Sequence, residues 1–274
     1  LRTRRQRQMC IRDRFENDLT VLLLSDTRVP FVYANGVFRG GVLAEDESTN
    51  GLTRLMSRLI VKDSENCSAE EVVTRIESVG GGISSSIGNN SFGATTHCLR
   101  PDVSLAVELL GDALLKPAFL KEAVEREKQF QLAQIKAEFD RPFGVAMKAL
   151  RREVFGSHPY SLSLSGTEKS VASLGRAEVV GMRKRLVKGG NGVLGVFGDI
   201  DLSQAEDLIR ERFESGIEPG EREFLKPAQI EYPAGGCRVI GLEHDKEQAV
   251  LLIGYRTVAL DHLDNCLLYT SPSP

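Results

Sequence analysis

Tryptophan is absent from the 274 residues, aromatics make up only 6%, and there are five cysteines and four histidines. No apolar run approaches the ~18 residues a membrane helix needs, so no transmembrane span is written into this stretch. The cysteines contain no CxxC pair and are widely spaced, which excludes a zinc ribbon and a disulfide framework. His97 and His158 have no His or Cys partner at metal-ligand spacing, so neither begins a zinc site. The run Ser84-Ser85-Ser86 lacks a Gly-x-Ser-x-Gly elbow, which excludes a serine triad built on it. Gly80-Gly81-Gly82 lacks the Lys-Ser/Thr pair of a phosphate loop. Positive charge in excess is missing too: the net charge is −3, which argues against a nucleic-acid partner.

The two ends read as foreign to the domain. Residues 9–13 can be encoded by ATG TGT ATA AGA GAC, and residues 266–271 by TGT CTC TTA TAC ACA TCT. With a preceding AG and one more A, the first string is the reverse complement of the second, and both resemble a transposon-end sequencing adapter. We therefore expect residues 1–14 and 266–274 to be translated adapter flanking a fragment. Genomic codons running on through residues 4–14 would contradict this. Setting aside the six Arg and one Asp of residues 1–14 takes the net charge from −3 to −8, and Cys67, Cys98 and Cys237 remain.

What is present is a mixed pattern. Residues 19–24 and 31–38 read as strands, followed by a turn at Gly40-Gly41. Residues 51–62 switch to helical period, with Leu52, Leu55, Met56, Leu59 and Ile60 on one face. Ser68 and Glu71 form a capping box opening a second helix, with Val72, Val73, Ile76 and Val79 apolar, and the triple glycine ends it. A hairpin over 83–87 and 93–99 precedes helices over 101–115, 120–139 and 145–155. A further helix at 175–187, a strand at 192–197 and a helix at 202–213 follow. The helix 120–139 carries so many charges that it reads as an outer face. Glu218-Pro219-Gly220 is the domain boundary, giving a first domain over 15–218 and the start of a second over 219–265, opened by strands at 235–242 and 249–255. The class is α+β, with helices packed against a largely antiparallel sheet.

If the apolar stripe of 51–62 faces the core, Arg54, Ser57 and Arg58 fall together on another face, which reads as solvated. The i, i+4 spacing of the two arginines is the one a helical zinc site uses for two histidines. The segment FRGGVLAEDESTNGLTRLMSRLIVKDS resembles the FxxGSxxE…GLAHFLEHMLFKGT segment of the M16, or pitrilysin/insulinase-type, metallopeptidases. SSSIGNNSFGATTHCL, LRPDVSLAVELLGDALLKPAF, EREKQFQLAQIKAEFDRPFGVA, HPYSLSLSGTEKSVASL and VLGVFGDIDLSQAEDLIRERF are similar to further family segments, in the family's order, from residue 15 to about 213.

The resemblance implies a domain of the LuxS/mitochondrial-processing-peptidase type. It also implies that Arg54, Ser57 and Arg58 occupy the positions of His-x-x-Glu-His, and that Ala133 and Gln134 occupy the region of a later ligating Glu. Arginine has no lone pair for a metal, and serine is no carboxylate base. The expectation is a non-catalytic half, with no zinc in this chain and zinc expected in a homologous catalytic half, fused or separate. In such a pair this half walls a chamber around a peptide substrate, which the edge strand carrying Ser84, Ser85 and Ser86 is expected to bind. The alternative is a purely structural assembly subunit without peptidase activity. For the compartment, a bacterial periplasm or cell envelope is favoured.

Overall fold

The computed structural model describes residues 10–221, 238–243 and 249–255. Six strands build one sheet: β1 (Cys10–Arg14), β2 (Thr20–Ser25), β3 (Phe31–Arg39), β4 (Gly82–Ile87), β5 (Ser91–Leu99) and β6 (Gly192–Gly198). Their spatial order is β1-β2-β6-β3-β5-β4, and every pairing is antiparallel except the parallel β2–β6 pair. The expected α+β class and largely antiparallel sheet therefore hold. Along β3 the side chains alternate, with Val32, Ala34 and Phe38 buried and Tyr33 and Val37 exposed. The buried face meets the helices.

The helices are α1 (Leu52–Leu59), α2 (Ala69–Glu77), α3 (Val103–Leu115), α4 (Lys121–Phe139), α5 (Pro142–Phe155), α6 (Glu168–Ser173), α7 (Arg176–Leu186) and α8 (Leu202–Ile209). α3 lies against β3 and β5, and the Thr96 hydroxyl donates to the Ala106 carbonyl at 2.9 Å. Gly36 permits that approach, because a Cβ there would sit 2.4 Å from a Leu114 methyl. Leu55, Met56, Leu59 and Ile60 bury the apolar face of α1 in the core shared with the stacked pair Phe38 and Phe92.

Several expectations are corrected. α1 ends at Leu59, before Lys62. The Ser68–Glu71 capping box forms, yet Val73 is exposed, since it sits about 100° away from Val72 around the helix. α5 starts at Pro142 itself, where a proline costs no hydrogen bond. The short α6 went unseen because its capping box uses Thr167 and Ser170 in place of an acidic residue. The described residues of the strands expected over 235–242 and 249–255 carry no ladder. An alternating run becomes a strand only beside a partner, and no described segment supplies one. Instead Arg238 pairs with Glu153 of α5 at 3.1 Å. Residues 1–9 and 266–274, and most of the expected second unit, lie outside the described residues. Within the expected adapter, Cys10–Arg14 pairs with β2, which backbone groups accomplish whatever the side chains.

Candidate functional site: the polar seam between α1 and α4

The start of α1 is held by groups distant in sequence. Gly51, at φ 93°, precedes the helix and provides no side-chain cap. Glu45 caps it instead, its carboxylate accepting from the backbone N–H of Gly51 (2.9 Å) and Thr53 (2.6 Å) and from the Asn50 amide (3.0 Å). Burial pushes the Glu45 pKa up, against the pull of these hydrogen bonds. From α4, the buried Gln131 amide donates to the carbonyls of Gly51 (3.0 Å) and Ser165 (2.9 Å). Asn50 also donates to the Ser163 carbonyl, and the Ser170 hydroxyl donates to the Asn50 carbonyl, both at 2.8 Å. A Cβ on Gly51 would lie 2.8 Å from the Gln131 amide nitrogen and 2.9 Å from the Ser165 oxygen, so glycine is required here by space as well as by φ.

Arg54, Ser57 and Arg58 then follow on the face turned toward α4 and β4. Arg54 donates to the Gln134 side-chain oxygen at 3.1 Å. Ser57, buried, donates to the Ser86 carbonyl of β4 at 3.1 Å. Arg58 donates to Glu127 at 2.9 Å and lies 4.5 Å from the centre of the Phe130 ring. Lys62 reaches the other oxygen of Glu127 at 2.6 Å. Burial alone would raise the Glu127 pKa, but hydrogen bonds from Lys62 and Arg58 outweigh it and hold the carboxylate below its ordinary range. Glu138 behaves likewise, held down by Lys148 at 2.6 Å and the Ser165 hydroxyl at 2.8 Å.

The seam corrects two readings. The arginine face of α1 is not simply a solvated face: Arg54 and Arg58 are half-buried and engaged by α4. Nor is α4 simply an outer face, since Glu127, Gln131 and Ile135 are buried at helical spacing against α1 and its neighbours. Hydropathy cannot reveal this, because the partners of Glu127 lie more than sixty positions away. Of the two residues expected in the later Glu region, Gln134 meets Arg54 and Ala133 is exposed. Ser84 and Ser86 are exposed on β4, whose outer edge has no strand partner among the described residues. His97 packs its ring on Phe31 and Tyr33, and the buried His158 accepts from the Tyr160 N–H. Among the described residues no three His, Cys, Asp or Glu groups converge as a metal site. Glu45, Glu127 and Gln131 went unseen. The signal for Glu45 was its place in FRGGVLAE, and for the other two the i, i+4, i+7 spacing with Gln134.

The family model for insulinase, peptidase family M16, matches residues 20–168, more than half of the chain. The chain belongs to the M16 family. An uncharacterized zinc protease of Mycobacterium leprae is 27% identical over 220 residues, covering 79% of this chain and 49% of that relative. Cytochrome b-c1 complex subunit 1 of Bos taurus is 23% identical over 229 residues, covering 82% of this chain and 46% of that subunit. The crystal structure of an M16 inactive domain from Pseudomonas fluorescens superposes with a TM-score of 0.74 at 20% identity, covering 82% of this chain and 54% of that one. This M16 chain thus spans about half the length of the curated relatives it matches. The zinc that the relative's name implies does not fit the α1–α4 seam. Guanidinium nitrogens are donors without a lone pair, and those of Arg54 and Arg58 already donate to Gln134 and Glu127.

Proposed function

We propose that this chain is the non-catalytic half or subunit of an M16-type zinc peptidase. A homologous half carries zinc and proteolysis, and this one walls the chamber that encloses the peptide. The observation that carries the reading is the α1–α4 seam: Arg54, Ser57 and Arg58 stand where the family resemblance places His-x-x-Glu-His, and each is committed to a hydrogen bond within the fold. The outer edge of β4, without a strand partner among the described residues, supports the second element, an extended peptide added to the sheet by β-augmentation. On this reading the activated water and polarised carbonyl belong to the partner half.

The expected result is hydrolysis of a fluorogenic peptide only when the chain is combined with a co-encoded M16 partner that carries His-x-x-Glu-His. Chelator-sensitive hydrolysis by this chain alone would overturn the reading. Ser84→Pro and Ser85→Pro examine the edge strand. Adjacent residues point their N–H groups to opposite sides, so one of the two removes an outward donor while sparing the β5 ladder. That variant is expected to keep the fold and lose peptide capture; unchanged capture in both would exclude β4 as the peptide edge.

The second reading is a structural assembly subunit, favoured by the similarity to the bovine cytochrome b-c1 complex subunit. A partner as depleted in ligands as this chain would decide for it.

A further inference from the structure

The positive charge of the seam is not balanced. Arg58 and Lys62 share one carboxylate, Glu127, and Glu138 is taken by Lys148 and Ser165. Arg54 has no carboxylate in ion-pair reach among the described residues: its one hydrogen bond goes to the neutral amide of Gln134, and its Nε is buried without a partner. Burial, and then the Arg58 charge, lower the Arg54 pKa, against the more distant pull of Glu138. A partly desolvated cation facing only a neutral acceptor is costly, and the fold retains it on the same helix face as Ser57, one turn away, which touches β4 at Ser86. A guanidinium with unused donors is matched by a carboxylate, which takes two parallel N–H bonds.

We infer that Arg54, backed by Gln134 and Arg58, is a seat for a carboxylate on a peptide lying along β4, so that this half selects acidic peptide segments. The inference rests on the chamber-wall reading and adds a substrate class to it. The peptide meets Arg54 from the β4 side, bringing an acidic side chain to the half-buried guanidinium while Arg58 stays on Glu127.

The test compares two fluorescein-labelled decapeptides that differ only by a central Glu or Gln, titrated by anisotropy against the full chain. The Glu peptide is expected to bind about tenfold more tightly at low salt, with the gap closing as salt rises. In Arg54→Gln the preference disappears, whereas Arg75→Gln, remote from the seam, keeps it. An intact preference in Arg54→Gln, or equal affinity for the two peptides in the unaltered chain, overturns the inference while leaving the chamber-wall reading standing. Binding of neither peptide overturns both. Should Arg54→Gln fail to fold, phenylglyoxal labelling of the unaltered chain replaces it: the Glu peptide is expected to protect Arg54 and the Gln peptide is not, and equal protection by both contradicts the carboxylate seat.

Discussion

Replacing Glu45 with Ala is expected to lower the unfolding free energy by about 4 kcal/mol in urea titration, the largest effect of any single change in the polar groups around α1. Three donors lose their acceptor together: the N–H groups of Gly51 and Thr53 and the Asn50 amide, all on buried residues. α1 has no cap of its own to fall back on, since Gly51 has no side chain. Each stranded donor costs about 1–3 kcal/mol, and water entering the vacated space recovers part of that. Glu45→Gln is expected to cost less but remain destabilising, because its NH2 group must face one of these donors. The pH dependence has a definite sign. The folded pKa of Glu45 is raised, so its proton is favoured by folding and its contribution declines as pH rises past about 4.5. If Glu45→Ala unfolds at the same urea concentration as the parent chain, the cap is not what seats α1.

Glu127→Ala is expected to cost about 3 kcal/mol. Its carboxylate side chain is 7% exposed and holds two cations, Arg58 and Lys62, each 32% exposed. Breaking a fully buried pair costs about 3–5 kcal/mol. Partial solvation of both cations in this variant places the loss at the low end of that range. The folded pKa values of Glu127 and Glu138 are depressed, so their stabilisation is present above the unfolded value of about 4.5 and is lost as pH falls through the lower folded value. Acid unfolding of the parent chain should therefore set in below about pH 4.5, and Glu127→Gln should flatten that limb while lowering stability at neutral pH. An unchanged acid limb in Glu127→Gln would mean that the seam is solvated and its ion pairs contribute nothing.

Legibility differed between the fold and the seam for a physical reason. α1, the Ser68–Glu71 cap, the β4–β5 hairpin and β6 were readable because their signals are local: helical or twofold periodicity, a capping box spanning four residues, glycines at a turn. Arg54, Ser57 and Arg58 were readable as a face, and the family resemblance placed them. Their partners were not. Glu127 and Gln131 lie in a helix whose composition is that of a solvated surface, and only the packing of α4 against α1 and the loop holding Ser165 turns those side chains inward. Val73 failed in the opposite sense, an apolar residue left exposed because one helix face of α2 was filled by Val72 and Ile76.

On the proposed reading, α1 keeps the scaffold of a zinc helix without the means to bind the ion. The most direct test of that reading is the zinc content of the purified full chain after equilibration with excess zinc and gel filtration. The expected result is no stoichiometric zinc retained at neutral pH, because Arg54 and Arg58 present only donors and already hold Gln134 and Glu127 respectively. One zinc per chain, lost on mutation of Arg54, Arg58 or Gln134, would contradict it.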